Sequence, residues 1–411
     1  MSLDPTLPVG RRIQLLRERR GLSRAVVAGL CGRSESWLKK IEQGTRQAVR
    51  LPMLLRLAEV LRLDDLTELT GQHLPLAVYG KPTHQAIPAL EQVMTTYPLG
   101  SETEADVDRP PSVSELQSRL DDAHTLWRTS RYPRTEVGAL LPSLLRETQQ
   151  AVRVLDGSER RAAADVLAGT YQAAQRILAY QPVPELVFLA ADRGMAAAQE
   201  ADDPLAIAGS AWYLAHVFRD SGRLDQAERV VKDAAELVKP SLDDASSEYR
   251  AMWGSLQLAR GLTAACDYDY DFGTAWHFWD IADEIAQSLG GDYWHPLNGF
   301  GPVDMQFYGV RIDVTLGRYG DAARRSETID VDSVPSLSGR SRYFIELARC
   351  YLARRDDIAA CHLLFRAYQE SPEYVKNGRF GRGIVQELME RNHSAVKSEV
   401  RDLATKMGLP T

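Results

Sequence analysis

Four side chains able to exchange hydrogen bonds with nucleobases, Glu35, Ser36, Lys39 and Lys40, fall within the segment SESWLKKIEQG. On a helix of 3.6 residues per turn they point away from Trp37, Leu38 and Ile41, which share the inward face. A lysine can donate to guanine O6 and N7, and a glutamate can accept from cytosine N4. The face carrying these groups is the one a major groove would meet. Glu35 and Lys39 are also four residues apart, so a plain surface ion pair worth about 0.3–0.5 kcal/mol is the alternative use for those two.

Positioning such a face requires a short helical frame. A first helix is expected over residues 9 to 20, with Ile13, Leu16 and Arg20 on one face and Arg12, Arg17 and Arg19 on the other, ended by Gly21 as a left-handed cap. Ser23 caps a second helix running to about Leu30, because its hydroxyl can take an orphan amide of the first turn. Cys31-Gly32-Arg33 is a glycine-centred turn of the kind that sets two helices at a steep angle, and Ser34 caps the third helix. A fourth helix, about 51 to 62, carries Leu54, Leu55, Leu57, Ala58 and Leu61 as its apolar stripe, and Leu63, Leu66 and Leu69 mark a short fifth.

Five helices with this turn chemistry resemble the lambda-repressor-like helix-turn-helix domains of the XRE family. RIQLLRERRGLS, SESWLKKIEQG and LLRLAEVLRLDDLTEL carry the likeness, which spans residues 10 to 71. The resemblance implies that Glu35, Ser36, Lys39 and Lys40 face bases, while Ser23, Arg24, Ser34, Arg46 and Gln47 hold the phosphate backbone.

Charge separates this head from the rest. Residues 1 to 71 hold 13 Lys plus Arg against 8 Asp plus Glu, a net of +5, and the remainder holds 36 against 48, a net of −12. Only the N-terminal part has the sign to approach DNA. With 411 residues, 44% hydrophobic and 26% charged, the chain can bury one small and one large core. No apolar leader or uninterrupted run near the length of a membrane span is found, so a cytoplasmic protein without membrane contact is expected. Cys31, Cys266, Cys350 and Cys361 are scattered without metal-ligand spacing, which points to reduced thiols and no metal site.

Residues 72 to 111 contain Pro75, Pro82, Pro88, Pro98, Pro110 and Pro111 and an acidic, apolar-poor stretch. They read as a proline-rich linker with at most one short helix, near 86 to 96, and such a tether would let the head take more than one orientation. From residue 112 to 411 nearly every segment is helical by pattern, giving an all-α chain: a five-helix head followed by a repeat body.

That body repeats. Leu214, Ala215, Phe218, Gly222, Leu224, Ala227, Val231 and Ala234, closed by Pro240, resemble the tetratricopeptide (TPR) pattern, as do Leu347, Ala348, Tyr351, Ala360, Leu364, Ala367 and Pro372. Weaker copies centre on Ala191, Ala275 and Ala322, and the five alanines stand 36, 48, 47 and 38 residues apart, so insertions lengthen a repeat of about 34. An additional pair, 112 to 128 and 135 to 155, begins the stack, and helices near 380 to 390 and 394 to 406 end it. An α-solenoid of this kind offers a concave surface for peptides, protein tails or small molecules.

Between the third and fourth repeats lies an aromatic-rich insertion with Tyr268, Tyr270, Phe272, Trp276, Phe278, Trp279, Tyr293, Trp294, His295, Phe300, Phe307 and Tyr308. These rings either fill space between helices or mark a ligand pocket or a dimer surface. Around the glycine-rich turn GGDYWHPLNGFGP, the ligand candidates are Trp276, Tyr293, His295 and Asn298.

A helix-turn-helix head on a TPR body also resembles the peptide-responsive quorum-sensing regulators of Gram-positive bacteria and a group of actinobacterial XRE regulators. The former clamp a peptide backbone with asparagines, whereas this chain has only Asn298, Asn377 and Asn392. No phosphate loop, dinucleotide fingerprint, zinc-protease motif or serine elbow is present, so no catalytic residue, cofactor or enzyme activity is expected. Two functions follow. The first is a homodimeric transcriptional regulator of double-stranded DNA, controlled by a small-molecule or peptide effector in the body. The second is a TPR protein-interaction adaptor tethered by its head.

Overall fold

The computed structural model describes residues 7–44, 51–61, 63, 67–71, 84–97, 110–239, 246–267 and 272–409. Helices account for all the regular structure among them, and no strand occurs there. The head comprises α1 (Val9–Arg19), α2 (Arg24–Leu30), α3 (Glu35–Glu42), α4 (Leu51–Val60) and α5 (Thr67–Thr70). Ile13, Leu16, Val27, Trp37, Leu38, Ile41, Leu57 and Leu61 meet in its core. At Gly10 a side chain would stand 1.9 Å from the Ile41 carbonyl oxygen, so the absence of a Cβ lets α1 lie directly on α3.

Two arginines assigned to the solvent face of α1 are in fact buried. Arg12 Nε donates to the Glu68 carbonyl at 2.9 Å and ties α1 to α5. Arg17 donates to Glu42 at the end of α3. Helical periodicity marks them as polar, but their partners lie 56 and 25 residues away.

The remaining helices are α6 (Ile87–Thr95), α7 (Val113–Thr129), α8 (Pro133–Val154), α9 (Gly157–Leu178), α10 (Pro184–Ala201), α11 (Pro204–Asp220), α12 (Leu224–Val238), α13 (Ser247–Cys266), α14 (Phe272–Ser288), α15 (Pro302–Thr315), α16 (Tyr319–Ser326), α17 (Leu337–Ala353), α18 (Asp357–Glu370), α19 (Pro372–Asn377), α20 (Arg379–Arg391) and α21 (Lys397–Lys406). From α7 to α18 they pack as six consecutive antiparallel pairs, each first helix also touching the first helix of the next pair. Ala191, Ala227, Ala275, Ala322 and Ala360 all lie on second helices and are buried, which is where two helix backbones must approach closely. The paired packing is that of a solenoid.

The helix expected near 86 to 96 is present as α6, and it is part of the body's first core. Ile87, Leu90, Val93 and Met94 pack there with residues of α7 to α10.

The stack curves until its ends meet. Helix α17 packs on α7, Ser338 Oγ donates to the Trp127 carbonyl, and Ser371 Oγ donates to the Arg131 carbonyl. Glu373 completes the closure, because its carboxylate accepts the backbone N–H of Arg134 at 2.7 Å and of Thr135 at 3.2 Å, the first free amides of α8. The Thr135 hydroxyl and His84 also bond to it. An anion at a helix N-terminus faces both unpaired amides and the positive end of the dipole.

Burial pushes the Glu373 carboxyl up, but the bonds from His84, Thr135 and the Arg134 amide outweigh it, so the group titrates below its ordinary range. A carboxyl held lower in the folded state contributes stability above its unfolded pKa and loses it as pH falls through the folded value. Glu373→Ala is therefore expected to cost about 2 kcal/mol at neutral pH. Denaturant titrations of wild type and variant should converge as the pH is lowered past that point, and a gap independent of pH would refute the assignment.

Candidate nucleic-acid interface and the interior of the ring

Both helices of the central turn are capped by serine. The Val26 N–H donates to Ser23 Oγ and the Trp37 N–H to Ser34 Oγ, each at 3.2 Å. Gly32 takes φ +67° in the turn between them, a conformation other residues rarely adopt. With Trp37, Leu38 and Ile41 locked in the core, α3 has one rotational setting. In it Glu35, Ser36, Lys39 and Lys40 are all exposed. Glu35 and Lys39 form no ion pair within 4 Å among the described residues.

Arg24 is placed differently. Its Nε donates to Glu42 Oε2 at 2.6 Å, alongside Arg17 on the other oxygen at 2.6 Å. The Glu42 side chain is 1% exposed, whereas that of Arg24 is 33% exposed and keeps part of its guanidinium at the surface. Ser23 and Ser34 are at the starts of α2 and α3, where amides can also hold an anion. Arg46 and Gln47 lie outside the described residues. In the turn, Arg33 reaches Asp267, just beyond α13, at 3.5 Å, joining head to body.

The four ligand candidates of the insertion do not form one group. Trp276 packs edge-on against Trp279, with the Arg325 guanidinium 4.4 Å from its ring centre, on the face of α14 that meets α16. Tyr293, His295 and Asn298 belong to the loop between α14 and α15. There Asn298 Nδ2 donates to Ser255 Oγ, Asn298 Oδ1 accepts the Phe300 N–H, and the His295 N–H donates to the Phe300 carbonyl. Asn298 is thus used to fold the loop. The Tyr293 hydroxyl donates to the Ser247 carbonyl.

This loop enters the centre of the ring, where the Tyr213 hydroxyl donates to the Leu297 carbonyl at 2.9 Å. Trp294 to Leu297 separate two chambers. One, of about 740 Å³, is bordered by Asp121, Asp165, Asp203 and Glu248, with His124 and His295. Burial, with Asp203 and Glu248 nearby, pushes the Asp165 carboxyl up to about 6, and burial pushes His295 down to about 4. The other, of about 110 Å³, is bordered by Arg134, Arg176 and Arg342, by His216, and by tryptophan and tyrosine rings. Sequence reading singles out Trp294, Asn298 and Tyr308 of this second chamber but not its arginines, which come one each from α8, α9 and α17.

No group of His, Cys, Asp and Glu among the described residues could hold a metal ion. No described helix is long and apolar enough to cross a membrane. Residues 8–69 match the model of a helix-turn-helix domain family. No curated protein matches the chain.

Proposed function

We propose that the chain is a sequence-specific transcriptional regulator of the XRE type, in which α3 enters the major groove and a TPR-like body senses a ligand. The observation that carries this is the exposed row Glu35, Ser36, Lys39 and Lys40 on a helix whose orientation is set by its own core and caps. The helix-turn-helix match over residues 8–69 supports the same use. DNA is the partner, Ser23 and Ser34 contribute backbone contacts, and Arg24 reaches phosphate only with the part of its guanidinium not committed to Glu42. Two copies pair through their bodies, placing heads on half-sites about 34 Å apart. Chambers of about 740 and 110 Å³ at the centre of the ring suit a small effector better than a protein tail. In this reading the protein acts in the cytoplasm and catalyses nothing.

Selection of bound fragments from genomic DNA by the purified full chain tests the reading. A preferred, two-fold repeated sequence is expected. Its affinity should fall by about a thousandfold between 50 and 200 mM salt if six or so phosphates are neutralised. Enrichment of no sequence, or an affinity indifferent to salt, would refute it.

A further inference from the structure

Five arginines converge on the middle of the ring from five helices: Arg134 on α8, Arg176 on α9, Arg219 on α11, Arg311 on α15 and Arg342 on α17. Arg134 is 1% exposed and Arg219 6%. Among the described residues, none of the five makes an ion pair, and their bonds go to neutral groups. Arg134 donates to the carbonyls of Ile177 and Ala179, Arg176 to His124 and the Leu297 carbonyl, Arg219 to the Ala259 carbonyl and Thr263, and Arg342 to the Tyr308 hydroxyl. Buried nitrogens of Arg134, Arg176, Arg219 and Arg311 have no hydrogen-bond partner, although Arg134 faces the Tyr374 ring at 4.4 Å and Arg176 the Trp127 ring at 5.3 Å.

The carboxylates nearby balance this charge only in part. Glu346 is bonded to Arg349 and, against its burial, is held charged by Arg349, Arg311 and Arg342 together, one carboxylate for three guanidinium groups. Asp220, itself in the chamber's lining, pairs with Arg379 at 3.1 Å. Burial pushes the Asp304 carboxyl up to about 7, against the pull of Arg342, leaving it partly uncharged at neutral pH. His216 is held neutral by burial and by the charges of Arg219, Arg311 and Arg342. Buried guanidinium groups stay charged and are costly without a counter-charge. Arg134, Arg176 and Arg342 border a cavity whose lining also holds Asp220 and Asp304, with Arg219 and Arg311 behind it, and the missing partner has room to sit there.

We propose that the arginine-bordered chamber binds a small oxyanion, a carboxylate or phosphate borne on a group of about one aromatic ring. Its volume of about 110 Å³ is of the order of an internal cavity that admits benzene. The arginines supply forked donors matched to two oxygens of either anion. Trp127, Trp212, Trp294 and Tyr374 form walls against which a flat or apolar remainder can lie. Occupancy requires no contact with DNA, so this site and the DNA-binding role stand or fall separately.

Three of those walls are tryptophans, which makes the site observable by intrinsic fluorescence. The full chain, dialysed into chloride buffer, is titrated at constant ionic strength with benzoate, inorganic phosphate and uncharged benzamide. A saturable fluorescence change with one or both anions is expected, accompanied by a higher melting temperature, with no response to benzamide. Response to benzoate alone identifies carboxylates as the ligand class, and response to phosphate alone identifies phosphates. Arg342→Met should weaken binding at least tenfold, while raising the melting temperature of the anion-free protein because an unbalanced charge is gone. Should that variant fail to fold, Arg342→Lys must still bind more weakly than wild type. No saturable response to either anion, an equal response to benzamide, or unaltered anion binding in the folded Arg342 variants would overturn the proposal.

Discussion

Replacing Lys39 and Lys40 together by alanine is expected to lower the affinity of the full chain for its preferred duplex by about a hundredfold, since each contact to a base edge is worth about 1–3 kcal/mol. Both side chains are exposed while their neighbours Trp37, Leu38 and Ile41 form the core. The double variant should therefore keep its melting temperature, surface changes of this kind costing within about 0.5 kcal/mol. Competition assays separate the two kinds of contact. A lysine reading a base relaxes the preference at one position, whereas a lysine on phosphate weakens all sequences alike and reduces the salt slope by about 1. Unchanged affinity in the double variant would remove α3 from the interface.

Glu42→Ala is expected to destabilise the head by about 3 kcal/mol. Glu42 is the last residue of α3, where the helix dipole disfavours a carboxylate, yet its side chain is only 1% exposed. What holds it there is the pair of guanidinium groups, Arg17 and Arg24, each at 2.6 Å. Removing the carboxylate leaves Arg17, whose side chain is 8% exposed, as a buried cation with only Leu22 and Glu18 for company. Arg24 is a third exposed and can turn to water, so it adds less to the loss. Amide hydrogen exchange in the full chain is the appropriate readout. Amides of α1 and α3 should lose protection selectively while those of α7 to α18 do not. Equal protection in wild type and variant would show that the triad adds nothing. Glu42→Gln, which retains an acceptor, should lose less than Glu42→Ala.

The contrast between these two sites follows the range of their interactions. Lys39 and Lys40 could be placed from the sequence because a cap at Ser34 and three apolar positions orient α3 within a single segment. Arg17 and Arg24 could not. In sequence they are polar residues on short helices, and only the position of Glu42 makes one a buried ion-pair partner and limits the other's reach toward phosphate. The insertion shows the same division: its aromatic residues stand out by composition, but Trp276 serves an interface between helices while Asn298 shapes a loop.

By itself the sequence determined the elements and their pairing. Capping serines, glycine turns and apolar spacing act over one or two helical turns, and small residues at matched intervals mark where adjacent helices touch. The tertiary structure alone decided that the stack closes, through a Glu373 that caps α8 from 239 residues away, and that arginines from three helices border one chamber. Backbone hydrogen bonding and helical packing leave a local periodic trace in a chain. Charge pairing across such separations leaves none, because it depends on accumulated curvature that no single segment records.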